Sequence, residues 1–363
     1  MQTPATSIQQ KPAWRRTLDT NGVFLLWTAF LLIFPFLVGA ISGTSPTGRR
    51  GESVFQQGVM IEYLTYAMLA MSYNLIFGFT GVISFGHALF FGAGGYILGG
   101  AARALGGETG VIVGVVLAIV ASTGLGLLIG IVSLRLKGVY YAMFTLAVAE
   151  MFYIFFRRNP ETGSEDGFGL GSSLPELLGQ RIVLFYLTVI LFILMFLFIR
   201  RLMFSPTGAV LLGIRENENR AKTVGYNTLR YKLFAITLAG VLATITGMLY
   251  ALLNRKVGPE MFFVNFTVNP LLHTIVGGIG TFIGPILGAV GLSWLERTIR
   301  STVLTVGESQ INIGQWWAII LGVIFVAVVL IFPYGVVGTW NRAAPHIRKW
   351  ISRFLPGRNA ESG

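Results

Sequence analysis

The sequence lacks cysteine altogether and has few charged side chains. None of its 363 residues is Cys, so disulfides, thiolate metal ligands and thiol nucleophiles are all excluded. Asp, Glu, Lys and Arg together make up 12% of the chain, about half of the share that is usual in soluble domains. A mean hydropathy of +0.71 leaves more apolar side chains than a globular core can hold. These shortages exclude an ordinary soluble enzyme and favour a polytopic membrane protein.

Sequence motifs of catalytic and nucleotide-binding sites are missing as well. The chain has no GxxxxGK[ST] phosphate-binding loop, no HExxH zinc motif and no GxSxG nucleophile turn. Two of its three histidines, His87 and His273, stand near apolar segments, but neither has further metal ligands at helical spacing. We therefore expect that the chain is not an enzyme, that it has no catalytic residue, and that it holds neither a metal nor a cofactor.

Apolar runs that are long enough to cross a bilayer recur along the chain. A transmembrane helix needs about 20 predominantly apolar residues. The runs are Val23–Ile41, Val59–Phe79, Phe85–Ala102, Val111–Leu134, Val139–Phe156, Ile182–Ile199, Leu233–Leu253 and Trp316–Val337. The first run could alternatively be a cleaved signal peptide, although it is longer than the apolar part of such a peptide. The predicted fold is all-α, with about eight transmembrane helices.

A further apolar segment, Val268–Leu295, is interrupted by glycines and a proline. Gly277, Gly280 and Gly284 are followed by Pro285, which bars a continuous helix. Non-helical backbone is tolerated at membrane depth where protein or a water-filled cavity surrounds it. We therefore predict a re-entrant hairpin of two half-helices, which turns near these glycines and leaves the membrane on the side where it entered.

The distribution of basic residues predicts the orientation in the membrane. With the hairpin in place, residues 1–22, 80–84, 135–138, 200–232 and 338–363 lie on one side, and they hold most of the lysines and arginines but few of the acids. Cytoplasmic segments carry such an excess. We predict that both terminal tails are cytoplasmic and that residues 23–337 form one transmembrane domain. The net charge of +12 then reflects the membrane setting, and no binding of nucleic acid is expected.

Polar residues and breaks inside the predicted spans mark a candidate pathway. A carboxylate as deep in a span as Glu150 is costly unless it faces water or a partner. His87 and His273 either tie half-helices together by hydrogen bonds or contact a substrate, and both possibilities stay open. Broken helices expose backbone groups that often line substrate paths. The candidate pathway residues are Asn74, His87, Glu150, His273, Gly277, Gly280, Gly284 and Pro285.

The charged segment 200–232 contains a predicted amphipathic helix over Arg215–Gly225. Its length is about ten residues, and Gly225 is placed to end it as a C-cap. Apolar residues on one edge of a charged helix suit docking against another protein. A solvated loop is the alternative interpretation.

Four separated motifs resemble one known family. They are Ser84–Gly92, Leu134–Ala142, Arg215–Asn227 and Gly277–Pro285. Their order, between about Tyr63 and Val337, is similar to that of the LivM-type permeases of bacterial branched-chain amino-acid ABC importers. The resemblance implies a multi-pass permease with the ABC-importer permease fold in the bacterial inner membrane. Its implied partners are a LivH-type permease, two cytoplasmic ABC ATPases that bind the ATP, a periplasmic substrate-binding protein and membrane lipid.

The resemblance also implies roles for individual residues and a cargo. The predicted inner helix would be the coupling helix, contacting the ATPases through Arg215, Glu216, Glu218, Ala221 and Gly225. The implied cargo is a branched-chain, aliphatic amino acid. Relatives with nearly the same motifs import urea, short amides or aromatic acids, and these remain alternatives. A secondary transporter or channel that works alone would explain the spans but not the charged inner helix.

Overall fold

The chain folds into helices joined by short connections in the computed structural model, which describes residues 13–48, 50–133, 136, 138–306 and 309–340. The helices are α1 (Ala13–Ser42), α2 (Glu52–Thr80), α3 (His87–Leu105), α4 (Gly107–Ser133), α5 (Val139–Arg158), α6 (Glu176–Gly179), α7 (Arg181–Met203), α8 (Pro206–Glu216), α9 (Glu218–Thr223), α10 (Thr228–Asn254), α11 (Asn265–Gly277), α12 (Gly284–Ser301) and α13 (Trp317–Ile331). Two antiparallel ribbons pair β1 (Phe168–Gly169) with β2 (Lys256–Val257) and β3 (Val303–Val306) with β4 (Ser309–Asn312).

Helix α2 forms the centre of the bundle and is buried over most of its length. It packs against α1, α7, α8, α10, α11 and α12. Leu64, Ala67 and Met68 on this helix are fully enclosed. Buried polar side chains of this helix form hydrogen bonds, as Thr65 does by donating to the carbonyl oxygen of Ile61 at 2.7 Å. A polar core helix of this kind can be tolerated in a membrane protein because neighbouring helices shield it from lipid.

Six stretches of the described chain are long and apolar enough to cross a membrane. They are α3, α4, α5, α7, α10 and Gly314–Trp340, which includes α13. The apolar part of α1, Trp27–Ser42, is shorter, and α2 is not among the six. Polar residues lower the hydropathy of α2, in keeping with its central position. The predicted all-α, multi-pass architecture is therefore confirmed, whereas the predicted number of eight crossing helices is not.

Three helix boundaries differ from the predicted spans. Helix α1 begins at Ala13, so part of the predicted amino-terminal tail is helical, while residues 1–12 lie outside the described chain. Helix α3 begins at His87, because the preceding residues form an irregular loop. The last span is interrupted after Ile331 by a turn at Pro333, which lacks the amide donor that a helix needs. Most of the predicted basic tail, residues 341–363, lies outside the described chain.

Candidate functional site

Helices α11 and α12 form a helix pair around the predicted break, and its re-entrant course in the membrane stays a prediction. Helix α11 ends at Gly277 and α12 begins at Gly284, with Pro285 in its first turn, so the break lies where the sequence predicts it. The two helices run antiparallel, because Gly284 lies against Gly277 and Gly288 lies against His273. A Cβ atom on Gly288 would overlap the backbone of His273, so the close approach requires glycine at this position. The hairpin is a closely packed pair of helices.

Asn74 of α2 holds the turn of this hairpin. Its Nδ2 donates to the carbonyl oxygen of Thr281 at 2.9 Å, and its Oδ1 accepts from the N–H of Gly280 at 3.0 Å. Gly280 has a φ of +73°, a conformation that glycine adopts without the steric cost of a side chain. The backbone of Gly280 also lies against that of Gly78 near the end of α2. Asn74 is buried and uses both ends of its amide to fix the turn.

The two candidate histidines are buried between helices. His87 begins α3, and its Nε2 lies 2.7 Å from Oγ of Ser72, while its ring stands edge-on to Tyr73. Ser72 lies about 12 Å before the end of α2 along the helix axis, so α3 starts well inside the bundle. His273 lies on α11 with its ring 6.3 Å from that of Tyr66. The position of His87 fits the hydrogen-bonded tie between helices that the sequence leaves open beside a substrate contact. His273 packs against Tyr66, and its buried Nδ1 has no hydrogen-bond partner among the described residues.

Two threonine hydroxyls anchor the loop between α2 and α3. Oγ1 of Thr267 accepts from the N–H of Ala88 at 2.8 Å and donates to the carbonyl oxygen of Phe85 at 3.2 Å. Oγ1 of Thr145 accepts from the N–H of Phe85 at 3.0 Å. A buried, non-helical backbone needs such partners. Thr145 and Thr267 are thus structural residues of the site that the sequence analysis missed, since an isolated threonine in an apolar run gives no signal.

Glu150 lies on the flank of α5 that faces the start of α11. Tyr153, one turn further along the same flank, has its ring 5.5 Å from that of Phe263. Glu150 is half-buried and makes no hydrogen bond or ion pair with any residue that the structure describes. A carboxylate placed in this way in a membrane helix requires water or a partner protein in front of it. Its position is therefore suited to a polar path along α5 and α11.

A cavity of about 910 Å³ lies between the hairpin and the charged segment. Much of its wall is apolar and comes from the end of α2, the following loop, the start of α5 and the middle of α11. These lining residues are Phe77, Val82, Ile83, Phe85, Val139, Ala142, Leu271 and Ile275. Glu218, Lys222 and Lys232 line its other side. The cavity joins the hairpin region to helices α9 and α10.

The charged segment forms two helices, and the predicted single helix over Arg215–Gly225 is wrong. Helix α8 ends at Glu216, and α9 begins at Glu218. Asn217 between them is extended, with a φ of −159°, and its side chain caps α9 by accepting from the N–H of Arg220 at 2.9 Å. The break is hidden in the sequence because Asn217 continues a run of alternating Glu and Asn. Asparagine favours such cap positions because its side chain competes for backbone hydrogen bonds.

Helix α9 ends at Thr223, and Gly225 stands just after its C-cap residue, in the capping role that the sequence predicts. The N–H of Gly225 donates to the carbonyl oxygen of Lys222 at 2.9 Å, and that of Tyr226 donates to Ala221 at 3.1 Å. These two bonds define a Schellman motif, which places Gly225 at a φ of +99°. The end of α9 therefore depends on glycine at this position.

Helices α8 and α9 border an open groove of about 720 Å³. Apolar and charged side chains alternate around it. Its lining includes Pro206, Ala209, Val210, Glu216, Arg220, Ala221 and Val224. An exposed groove with an apolar base and a charged rim has the composition of a protein docking surface.

Glu218 ties α9 to α10. Its carboxylate accepts from Nζ of Lys232 at 2.6 Å and from Oγ1 of Thr228 at 3.0 Å, and it lies 3.0 Å from Nζ of Lys222. Partial burial alone would raise the pKa of this carboxyl, but the hydrogen bonds from the two lysines and Thr228 outweigh it and lower the pKa to about 2. Glu218 therefore stays charged, and the link between the two helices persists, at all physiological pH values.

Arg215 connects the charged segment to the hairpin. It lies in the last turn of α8, and its side-chain stem packs against Gly81 after α2. Its guanidinium reaches the turn of the hairpin and lies against Gly280. One side chain thus contacts both glycine-rich turns and stands beside the groove between α8 and α9.

A charged cluster at the opposite end of the hairpin was missed by the sequence analysis. Glu62 of α2 forms an ion pair with Arg297 of α12, and Glu296 pairs with Arg300 on the same helix at 2.6 Å. The sequence carried a signal, because Glu62 lies within the predicted span Val59–Phe79. Its partner is more than 200 residues away and could not be assigned from spacing.

Comparisons with known proteins identify relatives of the chain. A family profile described as "Branched-chain amino acid transport system / permease component" matches residues 56–329. The chain is 27% identical over 284 residues to the high-affinity branched-chain amino acid transport system permease protein LivM of Salmonella typhimurium. It is 26% identical over 284 residues to the protein of the same name from Escherichia coli. Each alignment covers 70% of the chain and 66% of the relative, so the chain spans just under two thirds of the length of these relatives.

A third relative comes from an archaeon. The chain is 27% identical over 270 residues to the probable branched-chain amino acid transport permease protein LivM of Methanocaldococcus jannaschii. That alignment covers 64% of the chain and 77% of the relative. No solved structure matches the chain.

Proposed function

The chain belongs to the family of branched-chain amino acid transport permease components, and from this we propose that it is the membrane-spanning permease subunit of an ATP-driven importer. Its proposed cargo is a branched-chain, aliphatic amino acid, which passes from a periplasmic binding protein to the cytoplasm. The relatives named above support this cargo, since their names specify branched-chain amino acids. The proposed partners are a LivH-type permease, two cytoplasmic ATPases and the binding protein.

The contact of Arg215 with the hairpin turn is the observation that carries the proposal. An ATP-driven permease must pass a movement from its ATPase surface to its substrate path. Here the groove between α8 and α9 is the proposed ATPase surface, with Glu216 on its rim. Arg215 contacts Gly280 at the turn, and Glu218 links α9 to α10. A secondary transporter would have no use for a charged docking segment that reaches its broken helix.

The proposed substrate path runs along α5 and α11. Glu150 is its one acidic side chain on α5, and the cavity beside Phe85 and Leu271 is its inner end. The mostly apolar wall suits an aliphatic side chain. His87, His273 and Asn74 stand behind this path as residues that hold its short helices in position, and Gly277, Gly284 and Pro285 shape the hairpin. A LivH-type permease would cover the open flank of α5.

The proposed orientation places the α8–α9 groove in the cytoplasm and the end of α12 outside. Single cysteines test it cleanly because the chain has none of its own. A Ser301→Cys variant should react with a membrane-impermeant thiol reagent from outside, because this exposed residue ends α12. An Asn227→Cys variant, between α9 and α10, should react only after the cytoplasmic side is opened. The opposite labelling pattern would reverse the orientation and remove the proposed ATPase surface from the cytoplasm.

Reconstitution with its partners tests the proposed function as a whole. The tagged chain, expressed with the second permease and the ATPases from the same operon or genome region, should purify as one complex. In proteoliposomes, leucine uptake should require ATP and the binding protein together. Uptake of leucine by the chain alone, driven by an ion gradient, would instead favour a secondary transporter. Mass spectrometry of the ligand held by the binding protein distinguishes an amino acid from urea, a short amide or an aromatic acid.

A further inference from the structure

Charged side chains of α2 and α12 meet at the end of the hairpin opposite its turn. Glu62, Glu296, Arg297 and Arg300 line a cavity of about 490 Å³ there. The wall is completed by two tyrosines and two serines, which are Tyr63, Tyr66, Ser293 and Ser301. A second cavity of about 240 Å³ also borders Glu62 and Arg297, and Arg181 and Tyr250 line it as well. The cluster therefore borders open space on both sides of one ion pair.

The position of this cluster makes it accessible from water. Trp294 on α12 and Trp316 before α13 are both 58% exposed. Exposed indoles are typical of the boundary between membrane and water. Arg300 stacks on the ring of Trp317 at 3.8 Å, which anchors the end of α12 at the same level. Charged residues on these helices are costly in lipid, so their retention here indicates a polar ligand, a partner or water.

The two ion pairs leave specific hydrogen-bonding groups unused. Glu62 engages Arg297 through Oε2, and Glu296 engages Arg300 through Oε1. Each ion pair uses one nitrogen of its guanidinium, and the side chains of Arg297 and Arg300 are partly exposed. A guanidinium has five N–H donors, and an ionised carboxylate is the strongest acceptor for those that remain. The second oxygens of the two glutamates can accept from an ammonium group.

We propose that this cluster binds the charged backbone group of an amino acid before it enters the path. The α-carboxylate accepts from the guanidinium groups of Arg297 and Arg300, which line this cavity, and the α-ammonium donates to Glu62 and Glu296. The two acids and the two arginines that line this cavity balance each other, so a zwitterion of zero net charge leaves this balance intact. This inference rests on the proposed function and locates a binding site for its substrate.

Tyr66, which lines this cavity, packs among aromatic rings that lead to α11. The ring of Tyr66 lies 6.4 Å from that of Tyr250 and 6.3 Å from that of His273 on α11. The cluster is thereby connected, through Tyr66, to the half-helix that borders the proposed path. Urea and short amides have no charges to meet this cluster, and an aromatic acid brings a carboxylate but no ammonium for the second oxygens of the two glutamates. The site thus selects amino acids over the alternative cargoes.

Ligand analogues test the assignment in the assembled permease and ATPase complex without its binding protein. The probes are L-leucine, leucinamide, which lacks the carboxylate, and 4-methylpentanoate, which lacks the ammonium. Each analogue should bind at least about tenfold more weakly than leucine, since a charge-assisted hydrogen bond is lost. Arg297→Gln should weaken leucine binding by a similar factor and abolish the preference over leucinamide. Glu62→Gln should abolish the preference over 4-methylpentanoate. Glu52→Gln, on the same helix but outside both cavities, is the matched control.

Three results would overturn the inference. They are the absence of leucine binding at millimolar concentration, binding unchanged in both variants, and an equal loss for all three probes. The last is expected if the ion pair only braces α2 against α12. A transport assay distinguishes failure of this inference from failure of the proposed function. If Arg297→Gln imports leucine with the KM of the wild type, the site is wrong and the importer stands. If the complete wild-type complex imports no leucine, the proposed cargo itself is wrong.

Discussion

Leucine uptake should fall at least about tenfold when Arg215 is replaced by Ala, while ATP hydrolysis by the assembled importer continues. Arg215 packs its stem on Gly81 and its guanidinium on Gly280, so it spans the distance from α8 to the hairpin turn. Alanine removes everything beyond Cβ and leaves the docking groove without this contact. A movement of α8 would then no longer reach α11 and α12. The measurement is leucine uptake per ATP hydrolysed in proteoliposomes that contain the complete complex.

Arg220→Ala is the matched control for this prediction. Arg220 has the same charge and lies in the same segment, but it lines the groove between α8 and α9 instead of contacting the hairpin. Once the complex is assembled, its ratio of uptake to hydrolysis should match that of the wild type. Wild-type coupling in Arg215→Ala would contradict the proposed link. If the ATPases no longer purify with Arg215→Ala, the residue belongs to the docking surface and does not transmit movement.

The apolar helices of this fold could be predicted from hydropathy, because a helix that faces lipid needs a long apolar run whatever its neighbours are. Helices α4 and α7 are long apolar runs and need no knowledge of their neighbours. Helix α2 is surrounded by other helices, so its side chains do not all have to be apolar. It can carry polar residues such as Ser72, which bonds to the start of α3, and Asn74, which bonds to the distant hairpin turn. Counting spans by hydropathy therefore works at the periphery of the bundle and becomes ambiguous at its centre.

The break between the two helices of the hairpin could be predicted from the sequence, but the contacts of its turn could not. Glycines and Pro285 exclude a continuous helix whatever the surroundings are. The turn is held by a hydrogen bond to Asn74, which lies more than 200 positions away in the sequence. The sequence does contain a weak similarity between the glycine-rich turns that follow Gly78 and Gly277. The structure brings these turns together at Gly78 and Gly280, where two backbones can touch only without side chains.

The charged residues show where local patterns are insufficient. The run around Asn217 reads as one helix because each residue is compatible with helical charge patterning, yet Asn217 ends one helix and caps the next. Glu150 stood out as an acid in an apolar run, whereas Glu62 was overlooked in a span with the same property. The importance of Glu62 depends on Arg297 and on the cavities beside them, and both are tertiary features.

The hairpin itself should be disrupted by a single methyl group at Gly288. In a Gly288→Ala variant the new Cβ would overlap the carbonyl group of His273 and approach the N–H of Gly277 to 3.0 Å. Both obstacles are backbone atoms, so no side-chain rotation relieves the overlap, and α11 and α12 must separate. Overpacking of this kind typically costs about 1–3 kcal/mol. We expect leucine uptake to be lost and the Tm of the purified complex to fall by several degrees.

Gly291→Ala provides the control on the same helix, since a Cβ atom there has nothing within 4 Å. This substitution also replaces glycine by a better helix former, so the complex should keep its Tm or gain slightly. The two variants differ only in which face of α12 receives the methyl group. If both variants lose leucine uptake, the cause is the loss of a glycine from α12 and not the overlap with α11. Full uptake in Gly288→Ala would show that α11 and α12 can separate without consequence, and the hairpin could not then form part of the path.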